Sequence, residues 1–128
     1  MIILRNMEGQ NFMTVREIAA LLEAKIILGS HDLDRQVYSG CGSDLMSDVL
    51  AFVKENTALI TGLTNLHVIR TAEMVDINCI VFARGKMPDD DMLQKAKELD
   101  LVILSTIRTA YSACGILYQN GLPGVDHR

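Results

Sequence analysis

The sequence predicts an α/β protein of three layers, with helices on both faces of a mainly parallel sheet. Two observations carry the prediction. "ALIT" (58–61), "CIVFA" (79–83) and "LVILS" (101–105) are apolar almost throughout, as strands covered on both faces are. Between them run segments whose apolar residues recur at helical spacing, and that alternation builds parallel sheets.

"MTVREIAALLEA" (13–24) opens the domain as a helix. Thr14 and Glu17 have capping-box spacing, Met13 and Ile18 suit a hydrophobic staple, and Ile18, Leu21 and Leu22 form a buried stripe. Residues 1–12 read as a loose extension, with Met13 as an alternative translation start; 13–122 is the domain and 123–128 a tail. "AKIILG" (24–29) is a short strand ending at Gly29. "SHDLDRQ" is a polar loop, and "VYSGCGSDL" (37–45) holds turn residues and a possible second strand. "SDVLAFVKEN" (47–56) is a helix capped by Ser47, with Val49, Leu50, Phe52 and Val53 apolar.

After "ALIT", Gly62 turns the chain and Thr64 and Asn65 can cap a helix over 65–75, its face made of Leu66, Ile69, Ala72 and Val75. "PDDDMLQKAKEL" (88–99) is a helix with Pro88 near its first turn and acids at its positive end. The last helix spans 106–119, with Ile107, Ala110, Tyr111, Cys114, Leu117 and Tyr118 in register. Gly121 and Pro123 end it.

Composition narrows the function. The chain has 128 residues, 49% of them hydrophobic and 22% charged, enough for one domain with a core. A net charge of -4 without a basic cluster argues against nucleic acid. No apolar run reaches membrane length, and the apolar start is too short for a signal peptide. Cys41, Cys79 and Cys114 are widely spaced and apolar in setting; they read as reduced core thiols of a cytoplasmic protein, with no metal spacing. Asp89, Asp90 and Asp91 read as a solvated helix start, since helix neighbours diverge. His31, His67 and His127 are scattered. No phosphate-loop motif, dinucleotide fingerprint or nucleophile elbow occurs.

Parallel strands put their C-terminal turns on one edge, the usual ligand position in such sheets. Thr61-Gly62, Ala83-Arg84-Gly85 and Ser105-Thr106 meet there. They bring hydroxyls, one cation and helix N-termini, a chemistry suited to an anion. Capping without a ligand explains the same residues. Adjacent Asp34 and Arg35 point apart on an extended segment, which suits a structural role in the loop or a subunit contact.

"LDRQVYSGCGSDLMSDVL" (33–50), the stretch from Ala58 to Thr106 and "TAYSACGILYQNGL" (109–122) together resemble a free-standing DRTGG domain. The resemblance covers about Thr14 to Leu122. It implies an α/β/α fold similar to the N-terminal domain of HPr kinase/phosphorylase. Related domains lie within phosphotransacetylases and some CBS-containing pyrophosphatases, where they regulate or help subunits associate. Stand-alone versions imply an accessory role in bacterial redox and hydrogenase metabolism. The chain departs from the larger members: Gly62-Leu63-Thr64-Asn65 stands where they often carry Gly-Asp-Arg, and Ala83-Arg84-Gly85 where they often carry Thr-Gly-Gly. Ser105-Thr106 and Thr109 fit the family pattern.

The expectation is therefore a non-catalytic, homodimeric regulatory domain without cofactor. It would bind a small anionic, nucleotide-like ligand, or a redox-enzyme partner, through Thr61, Gly62, Thr64, Asn65, His67, Arg84, Gly85, Ser105, Thr106 and Thr109. Asp34 and Arg35 are the interface candidates. The alternatives are a small-molecule enzyme using His67 as acid or base, and a structural assembly module.

Overall fold

In the computed structural model, which describes residues 3–126, the central sheet has five strands: β3 (Lys25–Leu28), β5 (Ser39–Gly42), β6 (Thr57–Thr61), β7 (Ile77–Phe82) and β8 (Val102–Ser105). Their order is β3-β8-β7-β6-β5. The last four run parallel, and β3 closes one side antiparallel to β8. β6 is buried along its whole length, as is all of β7 except half-buried Asn78, which is why both read as continuous apolar runs.

Five helices cover the sheet: α1 (Val15–Leu22), α2 (Met46–Phe52), α3 (Leu66–Met74), α4 (Asp90–Glu98) and α5 (Ala110–Gln119). Alternating strand residues sort them into two cores. Ala58, Ile60, Cys79, Val81, Val102 and Leu104 pack against α1 and α5. Leu59, Ile80, Phe82 and Ile103 pack against α2, α3 and α4. The period-two alternation of each strand thus makes three layers from one sheet. Each large side chain fully buried in this way contributes roughly 1.5–3 kcal/mol.

The start of the chain differs from expectation. β1 (Leu4–Arg5) pairs with β2 (Asn11–Thr14), and β2 pairs with the short β4 (Gln36–Val37), all antiparallel. Residues 4–12 therefore form a hairpin on a second, small sheet instead of trailing loosely. Phe12 and Met13 are buried, which anchors it. The Asn6 carboxamide accepts from the N–H groups of Glu8 and Gln10 and donates to Gln36 and Tyr38. Gly9, at φ 82, makes the turn.

The capping box at Thr14 and Glu17 forms as the sequence predicts. Ser47 does not cap α2. That helix begins at Met46, and the Ser43 hydroxyl accepts from Leu45 N–H just before it. α5 begins at Ala110, four residues later than expected, because Thr109 caps it through Ser112 N–H. Its face is rotated too. Ala113 and Leu117 are buried, while Ile107, Tyr111 and Tyr118 are 85%, 90% and 70% exposed. His127 lies outside the described residues.

Candidate strand-edge site

The parallel register brings the strand ends into line: Gly42 lies opposite Ile60, Thr61 opposite Phe82, and Phe82 opposite Ser105. The edge therefore holds four turns, one more than the sequence reading gathers. The fourth follows β5 and carries Asp44.

Asp44 is the residue the sequence reading missed. Its Oδ1 accepts from the Thr61 hydroxyl at 2.7 Å and from Gly62 N–H at 2.8 Å. Thr61 Oγ1 in turn accepts from Leu63 N–H at 3.1 Å. The Thr61 hydroxyl first, then Gly62 N–H, hold the Asp44 carboxyl below the usual carboxylate range, and the Arg84 charge acts in the same direction. Asp44 is an ionised acceptor at neutral pH. β5, the outermost strand on its side of the sheet, is "SGCG", too small and polar to read as an apolar run, so its turn carried little signal. The usable clue was Gly-x-Asp at its end.

Arg84 is exposed, and Gly62 gives its guanidinium room. A Cβ built on Gly62 would lie 3.3 Å from Arg84 Nη2 and 3.6 Å from Asp44 Oδ2. The backbone of Arg84 is left-handed at φ 58, followed by Gly85 at φ 69. Arg84 N–H donates to the Arg108 carbonyl at 2.8 Å and Gly85 N–H to the Thr106 carbonyl at 2.7 Å. The turns after β7 and β8 thereby fix one another. The Arg84 side chain makes no hydrogen bond or ion pair among the described residues, so its charge points at solvent over Gly62.

The other hydroxyls are committed. Ser105 Oγ donates to the Lys86 carbonyl at 2.7 Å, and Thr106 Oγ1 donates to the Leu22 carbonyl at 2.8 Å. Thr109 caps α5. They build the edge from within. Asn65 takes the cap position of α3 without a side-chain hydrogen bond, and no acid follows in the first turn. Thr64 is half-buried; Asn65 and His67 are exposed. No described hydrogen bond joins any of these three to Arg84. The edge can therefore do two things: present a cation and open helix N–H groups, and accept through Asp44.

The family model for the DRTGG domain matches residues 17–119. The chain belongs to the DRTGG domain family. A crystal structure of the CBS and DRTGG domains of the regulatory region of Clostridium perfringens pyrophosphatase, complexed with the activator diadenosine tetraphosphate, is similar in fold, with TM-score 0.67 and 15% identity. The match covers 83% of this chain and 46% of that one, so this DRTGG domain spans less than half of the matched structure. No curated protein matches the chain.

The interface candidates of this DRTGG domain lie apart from the edge site. Arg35 is only 12% exposed. It donates to the carbonyls of Asn78 at 2.9 Å and Asp100 at 2.7 Å, and pairs with the carboxylates of Asp32 and Asp100. It pins the loop after β3 to the starts of β7 and β8. Asp34 is exposed and pairs with Arg16 at 3.3 Å. Asp89 caps α4 through Met92 N–H, with Asp90 and Asp91 in the first turn. Burial pushes the Cys79 thiol up to about 12 and raises those of Cys41 and Cys114, which makes them poor nucleophiles at neutral pH. Among the described residues no helix is long and apolar enough to cross a membrane.

Proposed function

We propose that this DRTGG domain is a non-catalytic regulatory module that senses a small, nucleotide-like anion at the strand edge. The observation that carries the reading is the Arg84 guanidinium, held over Gly62 without a hydrogen bond or ion pair among the described residues. The open first turn of α3 lies on the same edge and favours negative charge. That the similar pyrophosphatase region takes a diadenosine polyphosphate activator supports the ligand class. Gly85 and the hydroxyls of Thr61, Ser105, Thr106 and Thr109 shape the turns, and Thr64, Asn65 and His67 line the approach.

Binding would be passed to a partner through self-association or through a redox enzyme of bacterial hydrogenase metabolism, in the cytoplasm. The assembly reading has its own support in the exposed Ile107, Tyr111 and Tyr118 of the α5 region. The test is isothermal titration with ATP and with tripolyphosphate against wild type and Arg84→Ala. Loss of at least about tenfold in affinity for both, with the fold intact, is expected from removing one charge-assisted contact. Equal binding by the two proteins would remove Arg84 from the site and the reading with it.

A further inference from the structure

Asp44 is an odd neighbour for an anion site, and its geometry says what it selects. Its Oδ1 accepts from the Thr61 hydroxyl and Gly62 N–H, with Leu63 N–H also near the carboxylate, and no described hydrogen bond ends on Oδ2. Oδ2 and Arg84 Nη2 flank the same empty position above Gly62, where a Cβ would touch both. The two charges nevertheless form no ion pair with each other. A ligand atom above Gly62 would therefore meet both an acceptor and a donor.

A bare phosphate fits that position badly, because its oxygens only accept and the carboxylate repels them. A hydroxyl fits it well: it donates to Asp44 Oδ2 and accepts from Arg84 Nη2 at once. The geometry points to Asp44 as a specificity-determining residue that selects a hydroxyl-bearing phosphate ester, such as a ribonucleotide, over the same anion without the hydroxyl. This rests on the anion site proposed above. Its cause is local: Gly62 supplies the space, Thr61 and Gly62 fix the carboxylate plane, and the left-handed turn at Arg84 aims the cation.

Asp44→Asn gives a sharp test because it is isosteric. The donors from Thr61 and Gly62 require the amide oxygen at the Oδ1 position, so the NH2 group takes the place of Oδ2. The variant replaces an acceptor by a donor and turns two charge-assisted bonds into neutral ones, so its melting temperature should fall by several degrees while the fold stays intact. The probes are ATP and 2′,3′-dideoxy-ATP, which differ only in the ribose hydroxyls. Wild type is expected to prefer ATP by about tenfold, the worth of a hydrogen bond to a charged group. In Asp44→Asn the preference should fall to about one, and dideoxy-ATP should bind at least as tightly as it does to wild type. An equal preference in the two proteins, with binding still lost in Arg84→Ala, overturns the role of Asp44 and leaves the anion site standing. No binding of either nucleotide to wild type overturns both.

Discussion

At the scale of single residues, charge in this protein is divided between holding the fold and facing solvent. Arg35 and Arg84 show the division. Arg35 has four of its five guanidinium N–H donors filled by carbonyls and carboxylates from three segments, and sits 12% exposed. The Arg84 side chain has no hydrogen-bond acceptor among the described residues. Arg35→Ala should therefore destabilise the protein by roughly 1–3 kcal/mol, because it strands the Asn78 and Asp100 carbonyls, whereas the solvent-accessible Asp32 and Asp100 carboxylates return to water. Urea unfolding with an unchanged m-value measures this. Arg35→Lys should recover little, since an ammonium cannot bridge both carbonyls and both carboxylates from one plane. A loss under about 0.5 kcal/mol in Arg35→Ala would mean that the network is ornamental. Arg84→Ala, by contrast, should leave the unfolding midpoint in place while it weakens binding. The Asp34-Arg35 sequence showed a charged knot but not which partners each takes, because those come from residues up to 65 positions away.

At the scale of elements, what could be read from the sequence depended on whether the signal was local. The three apolar strands and the Thr14–Glu17 box were legible because hydrophobic runs and caps are written in adjacent residues. The face of α5 was not. Tyr111 and Tyr118 share helical spacing with Leu117 and Cys114, and spacing alone does not say which side of a mixed stripe meets the sheet. The sheet decides through Gly42, where a Cβ would lie 2.5 Å from Cys114 Sγ. α5 can approach β5 only because that strand has no side chain there. Gly42→Ala should cost roughly 1–3 kcal/mol by pushing α5 outward, and Cys114 should react faster with a thiol reagent. Adding Cys114→Ala should recover most of the loss, which a double-mutant cycle by denaturant unfolding would show. Additive losses would place the strain elsewhere. The same small strand hid Asp44: a Gly-rich segment gives little periodicity, so the fourth turn of the site became visible only with the register.

At the scale of the whole molecule, the two faces of the sheet are covered unequally. Three helices lie on one face and two on the other, and the thinly covered side opens into a cavity of about 630 Å³ bounded by Gly40, Gly42, Ile60, Tyr111, Cys114 and Leu122. Beside it Ile107, Tyr111 and Tyr118 are exposed, and α5 carries no charged residue. A second copy could therefore approach this face without like-charge repulsion, and homodimerisation is the expectation that follows. Tyr111→Arg tests it. The side chain is 90% exposed, so the change should cost the monomer no more than about 0.5 kcal/mol, whereas a buried, unpaired guanidinium at an interface costs several. Sedimentation velocity at about 50 µM, where a specific dimer of ordinary affinity is populated, should give a dimer for wild type and a monomer for Tyr111→Arg. A monomeric wild type, or a variant that stays dimeric, would take α5 out of assembly. The edge site and the α5 face meet at Gly42, Ile60 and Arg108, with Arg108 donating to Glu23 on one side and accepting from Arg84 N–H on the other. If ATP binding at Arg84 shifts the dimer equilibrium, the shift should disappear in Arg84→Ala while the dimer itself persists, because only the ligand contact is lost.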